Sequence, residues 1–274
     1  MEAENKTYLK IFLNSTAFFL LAYLLIYLFS QLLTLIAALA FNFDVVWKYY
    51  GLIINVGENQ WTAEAVKTIF SAAPVFQLIF GFACAAVYFR FRELTGMIKQ
   101  FFFWGFMLSF HLFFVNILIG GLVNKGFGYV LQWSYLADTG RLFHVLFGLF
   151  GLVLTGYLGA KSLVISVNSY FNEVRGLRKL HVFLFQFLFP FIAGLILIYL
   201  IRIPYNHYND YLDLISIAAF LFVCIFVFIR LTHLEDLMFD EEEKKPYIFR
   251  QVFLVLGIVL ILYRLGLGIG VNLG

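Results

Sequence analysis

Few residues of this chain could do chemistry: five histidines, a handful of amides inside apolar runs, and acid/base groups at the ends of those runs. His111 and Asn116 share one long apolar stretch. An ionisable side chain at bilayer depth is expensive and marks a functional site unless it is held neutral by a neighbouring helix. His111 therefore reads either as a neutral, hydrogen-bonded histidine or as a proton relay or ligand group. The stretch NKGFGYVLQWSYLADTGR, Asn124 to Arg141, follows it, with glycines at one end and Asp138 and Arg141 at the other. His144 lies on the helix beyond. Asp138 with Thr139 could cap that helix. Arg264, at the far end of the last apolar run, either snorkels outward or pairs with Asp138, Asp210 or Asp213. His111, Asn116, Asn124, Asp138, Arg141, His144 and Arg264 are the candidate ligand or proton pathway.

Metals and haem must be weighed because of the histidines. Two b-type haems would need one histidine pair near each membrane face, and His144 with His207, and His181 with His233, fall in that order along the chain. But His207 sits in a loop, and His181 and His233 sit at the ends of their runs, shallower than haem ligands. No cofactor is expected, with haem b as the alternative. There is no HExxH, no CxxC and no paired intramembrane carboxylate, so no metal site is expected. Nucleophile elbows and phosphate loops are also missing. GFGY follows a full span rather than a short pore helix, which excludes a potassium filter. Cys84 and Cys224 lie in apolar runs and read as small buried hydrophobes.

The elements that must position these groups are set by composition. Of 274 residues, 63% are hydrophobic and only 13% charged, against about 25% charged in a soluble domain. Lipid is the solvent such a chain requires. A bilayer core takes roughly 20 apolar residues, and seven runs qualify: 11–41, 66–89, 98–123, 141–167, 180–201, 214–231 and 248–267. The expected fold is an all-α polytopic bundle of about seven spans in a single domain. Cations accumulate on the cytoplasmic side. With the N-terminus inside, 12 of the 19 basic residues fall on inner segments and 6 outside, with Lys161 inside the fourth span. That orientation puts the C-terminus outside. The connection 42–65, with Trp47, Tyr49, Tyr50 and Trp61, is expected to lie on the membrane surface. Residues 124–140 are expected to be either interfacial or re-entrant. Pro190, backed by Gln186, predicts a kink.

Gly148, Gly151, Gly156 and Ala160 stripe the fourth span and form a helix-packing face, inside the fold or toward another subunit. With many small-residue stripes and no catalytic motif, the first functional expectation is a non-catalytic inner-membrane subunit or scaffold that packs with other membrane proteins or with itself. The alternative is a small proton-coupled transporter with its site between the third and fourth spans. The net charge of +3 needs no nucleic acid to explain it.

Two resemblances attach to particular residues. SAAPVFQLIFGFACAAVYF, Ser71 to Phe89, resembles the alanine-glycine-proline helix of site-2 proteases, and FFVNILIGG, Phe113 to Gly121, resembles their asparagine-bearing later helix. The zinc-helix motif and the aspartate motif of that family are absent. The resemblance thus implies a fold relative without the metal chemistry. GFGYVLQWSYL, with the Phe/Tyr/Asn-rich composition, is similar to uncharacterised multi-pass proteins of Bacteroidota. That resemblance implies an inner-membrane location and carries no activity with it.

Overall fold

A computed structural model describes the backbone of all residues except 1, 94–95, 137, 205–207, 240–245 and 274, and leaves out the side chains of 2–5 and 208–211 as well. The chain is a helical bundle. Six of its helical segments are long and apolar enough to cross a membrane: Lys6–Ala40, Ala63–Arg90, Ile98–Val123, Asp138–Ser169, Leu177–Ile201 and Leu212–Thr232. In chain order the elements are α1 (Glu2–Ala40), β1 (Asp44–Lys48), β2 (Gly51–Asn55), α2 (Ala63–Arg90), α3 (Ile98–Val123), α4 (Phe127–Trp133) and α5 (Asp138–Ser166). Then follow β3 (Glu173–Val174), α6 (Leu177–Val182), α7 (Phe189–Ile201), α8 (Tyr208–Ala218), α9 (Phe220–Thr232), β4 (Leu237–Met238), α10 (Arg250–Ile261) and β5 (Val271–Leu273).

α1 is the axis, and α2, α3, α7 and α10 all pack against it. Its middle, from Ala17 to Leu24, is buried on every side. The helix therefore carries no separate polar face, as expected of a helix enclosed by others. Trp104 of α3 stacks on Phe187 at 5.2 Å and meets the edge of Phe19 at 5.0 Å. These rings form the centre of one continuous core.

The glycine stripe of α5 closes this core. A Cβ on Gly148 would press on the Phe114 carbonyl and Leu118, one on Gly151 would overlap the Phe114 ring, and one on Gly156 would strike Phe226 and the Val223 carbonyl. Ala160 is fully buried. These small residues face α3 and α9 of the same chain. The packing face is internal, and it also closes the α3–α5 boundary where the carrier alternative placed its site.

Pro190 produces something other than a simple kink. Phe183–Leu188 form a π-helical turn between α6 and α7. Proline has no N–H to give the carbonyl four residues back, and that carbonyl belongs to Gln186. Ser15 of α1 donates to it instead, at 2.6 Å, and Trp104 Nε1 donates in turn to the Ser15 hydroxyl at 2.9 Å.

The bundle is all-α as expected, with a small sheet added in the connection 42–65. β1 and β2 form an antiparallel hairpin, Asp44↔Asn55 through Lys48↔Gly51, and the C-terminal β5 adds to β1 with Val45↔Leu273. Val45, Val46, Ile53 and Ile54 suit a half-buried sheet. Gly51 follows the Tyr49–Tyr50 turn.

The connections sort into two groups at opposite ends of the bundle. At the N-terminal end, Asn14 bonds to the Tyr247 carbonyl and the Phe249 amide, Asn168 to the Arg92 carbonyl, and β3 pairs with β4. At the hairpin end, Tyr49 meets the Leu267 carbonyl and Pro204, and β5 joins the hairpin. α10 has its start beside Asn14 and its end beside Tyr27, where the Tyr263 ring packs at 6.1 Å. α10 with the π turn Leu262–Gly266 is 12 plus 5 residues, about 25 Å long at 1.5 Å per residue.

Gly151→Leu is expected to cost about 1–3 kcal/mol or more through overpacking, read as a lower denaturation temperature in mild detergent. Gly257, whose added Cβ would meet nothing within 4 Å, is the control. Gly257→Ala should leave stability unchanged or raise it by up to about 1 kcal/mol, the helix-propensity difference.

Candidate functional site

A cleft of about 470 Å³ opens at the hairpin end. Its walls come from α1 (Gln31, Thr34), from Tyr50 through Ile54 of the hairpin, from α3 (Asn116, Ile119, Gly120), from the α3–α4 turn and α4 (Lys125 to Phe127, Tyr129), and from α8 (Leu212, Asp213, Ser216).

Local sequence explains each wall. Asn124 ends α3 in the left-handed conformation at φ 55°, its N–H bonded to the Gly120 carbonyl, a C-terminal cap that asparagine tolerates. Gly126 also has positive φ, 55°. The reversed chain then lays α4 against the end of α3. Gly120 and Gly128 touch backbone to backbone there, and a Cβ on either would strike the other. α4 is a seven-residue helix held across the ends of α2 and α3 by Leu131 and by Tyr129, which packs on Phe70 at 5.0 Å. The connection thus holds a short helix laid across the ends of α2 and α3.

Asn116 reaches the cleft from about 10 Å below the end of α3, at 1.5 Å per residue. Its Nδ2 donates to Gln77 Oε1 of α2 at 2.9 Å. Gln77 is buried one turn after Pro74.

Beneath Ser216 lies His111. α8 and α9 form one apolar span, Leu212–Thr232, with a one-residue irregularity at Ala219, whose φ of −59° and ψ of −11° stay helical. The Ser216 carbonyl in the last turn before it pairs with His111 Nε2 at 2.8 Å. A carbonyl only accepts, so Nε2 carries the hydrogen and Nδ1 presents its lone pair. Nδ1 has no partner among the described residues, although His111 is 1% exposed. The Phe220 ring fixes the imidazole edge-to-face at 5.0 Å.

At the rim of the hairpin end, joined to the cleft lining through Asp213, lies an arginine–tyrosine cluster. Arg202 is 2% exposed. Its guanidinium lies over the Tyr27 ring at 4.7 Å and pairs with Asp213 Oδ2 at 3.1 Å. Burial opposes the charge on Arg202, but the Tyr23, Tyr27 and Tyr263 oxygens with Asp213 outweigh it and hold the group well above its ordinary value. Arg264 covers the Tyr49 ring at 4.1 Å and donates to the Ile203 carbonyl at 2.8 Å. Tyr27 and Tyr263 both donate to the Tyr49 carbonyl.

The structure brings only some of the expected pathway together. Asn116 lines the cleft and His111 lies under its floor. Arg264 belongs to the rim, on Tyr49 rather than on a carboxylate. Asn124 is a helix cap. Asp138 is exposed and begins α5 as its first helical residue, where a carboxylate suits the helix dipole. Neither Asp138 nor Arg141 forms an ion pair among the described residues. His144 turns its Nδ1 back to the Gly140 carbonyl of its own helix at 2.8 Å. Of the haem alternative, His181 packs at a tilt beside the Tyr8 and Phe185 rings, His233 bonds to the Ile229 carbonyl, and His207 lies outside the described residues. Sequence reasoning missed Arg202, Ser216 and Gln77, and it offered Asp213 to Arg264, whereas Asp213 pairs with Arg202. Pro74, one turn earlier, was the available signal for Gln77.

No family model, curated protein or solved structure matches this chain.

Removing one partner of a fully buried ion pair costs about 3–5 kcal/mol. The Asp213 side chain is 48% exposed, which discounts that figure, so Asp213→Asn is expected to cost about 2 kcal/mol. Thermal denaturation in detergent and proteolysis of the hairpin are the readouts. Stability equal to wild type would mean that the Tyr27 face alone holds the cation.

Proposed function

We propose that this chain is a seven-span inner-membrane carrier that takes a small polar solute into the hairpin-end cleft and couples it to a proton on His111. The hairpin end is the outer side, the N-terminus is cytoplasmic and the C-terminus is outside. Three things support the topology: the excess of basic residues on segments at the N-terminal end, the sorting of connections to two ends, and an α10 that runs from Asn14 to Tyr27.

The observation that carries the functional reading is the pairing of the buried His111 ring with a main-chain carbonyl of α8 that lines the cleft. Carriers build their sites where helix carbonyls line a cavity. Here the carbonyl belongs to Ser216, which lines the cleft, and its partner is a buried histidine with one nitrogen unpaired. Protonation of Nδ1 would place a charge directly under the cleft, so solute and proton occupancy would be linked. The cleft volume of about 470 Å³ falls in the range of small-molecule sites. The alternative reading as a packing subunit drew on missing motifs, little extramembrane mass and small-residue stripes; of those stripes, the glycines of α5 pack against α3 and α9 of the same chain.

The test uses His111→Gln, which keeps a donor for the Ser216 carbonyl but cannot take a proton. Proteoliposomes holding a pH-sensitive dye are challenged with a panel of amino acids, short peptides and sugars. Wild type should give a solute-dependent pH change. His111→Gln should bind the same solute and lose the pH change, and His181→Gln should behave as wild type. A pH response that survives in His111→Gln would refute the coupling role.

A further inference from the structure

We infer that the solute is a short extended peptide, bound by adding a strand to β2; this deepens the carrier reading and rests on it. The argument begins with how the cleft meets the hairpin. Five consecutive residues, Tyr50 to Ile54, line it. Side chains on a strand alternate between its two faces. A cavity touched by every residue in such a run must therefore lie along the strand's backbone edge, not over one face. One edge of β2 is paired with β1 throughout, from Lys48↔Gly51 to Asp44↔Asn55. The sheet order β2-β1-β5 leaves the other edge of β2 without a strand among the described residues. That edge is the one facing the cleft.

An open edge presents a row of N–H and C=O groups at fixed spacing, which is a template for one more strand. Peptide-binding proteins use this mode, with main-chain hydrogen bonds giving affinity and side pockets giving preference. The opposite walls fit the same ligand. Gln31 and Asn116 offer side-chain amides at the cleft surface, each able to donate and accept. Among the lining residues there is one base, Lys125, and one acid, Asp213, which Arg202 already pairs. Size sets the limit. β2 has 5 residues, about 17 Å of ladder at 3.4 Å each, so the ligand is a few residues long and not a folded partner.

The experiment titrates the full-length protein in lipid nanodiscs with acetyl-tetra-alanine amide, with the same peptide carrying a single N-methyl group at each position in turn, and with free alanine. Strand addition uses the N–H of every second residue. N-methylation should therefore weaken binding roughly tenfold at alternate positions, about the cost of one hydrogen bond, and little at those between. The tetrapeptide should also bind more tightly than alanine. Asn116→Ala should weaken binding and keep the alternating pattern. Equal binding of alanine and tetrapeptide, or N-methyl effects without alternation, would overturn the peptide assignment and leave the cleft as a small-solute site. Binding of no member of the panel would overturn the carrier reading together with it.

Discussion

A helix in lipid can depart from regular geometry only where something else satisfies the carbonyls it frees, because no water is there to do so. The two central irregularities of this chain are both built around that requirement. At Pro190 the lost N–H leaves the Gln186 carbonyl to Ser15 of α1, and Trp104 holds the Ser15 hydroxyl in place. At Ala219 the Ser216 carbonyl takes the ring N–H of His111 from α3. In each case the partner comes from a different helix, so the irregularity is also a point of attachment. The helices around α1 and α3 are fixed in depth and rotation by these polar contacts, while the rings and glycines supply the close packing.

The two irregularities differ in consequence. The Ser15–Gln186 contact lies inside a core of aromatic rings, where Gln186 Nε2 also donates to Ser166 and Gln186 Oε1 has no partner among the described residues. The His111–Ser216 contact lies under a cleft and leaves one imidazole nitrogen unused. The same device serves as a structural rivet in one place and, in the carrier we propose, as the proton site in the other. Beside the cleft, Arg202 and Arg264 each lie on a tyrosine face, Tyr27 and Tyr49 respectively. β5 ties the end of the chain to the hairpin. Cation–aromatic contacts away from water gain strength from the low dielectric, which favours arginine over lysine at these two positions.

Much of the framework could be read from the residues. Bilayer-length apolar runs place the helices to within a few residues: 98–123 coincides with α3, and 66–89 lies inside Ala63–Arg90. Composition also indicates that the glycines of α5 pack helices, but not which ones, since Phe114 and Phe226 become their partners only in the folded chain. The hairpin was obscured because Trp47, Tyr49 and Tyr50 read as an interfacial belt, although Val45, Val46, Ile53 and Ile54 carried a strand signal. β5 could not be read at all, since VNL is three residues whose pairing partner lies more than two hundred residues earlier. Arg202 looked like an ordinary loop cation, and only its position between Tyr27 and Asp213 sets it apart. His111 and Asn116 stood out because polar groups in apolar runs demand partners. Asn124, Asp138, Arg141 and His144 stood out for proximity in sequence, which the fold does not convert into a shared site.

Everything in this account depends on the cleft being open to the outer aqueous phase while β4 lies on the cytoplasmic side. With Cys84 and Cys224 replaced by alanine, single cysteines at Gln31 in the cleft and at Met238, which is 77% exposed in β4, are treated in intact cells with a membrane-impermeant maleimide. The account predicts that Gln31→Cys is labelled at once and Met238→Cys only after the cells are permeabilised. Labelling of Met238→Cys from outside, with Gln31→Cys reached only from within, would contradict it.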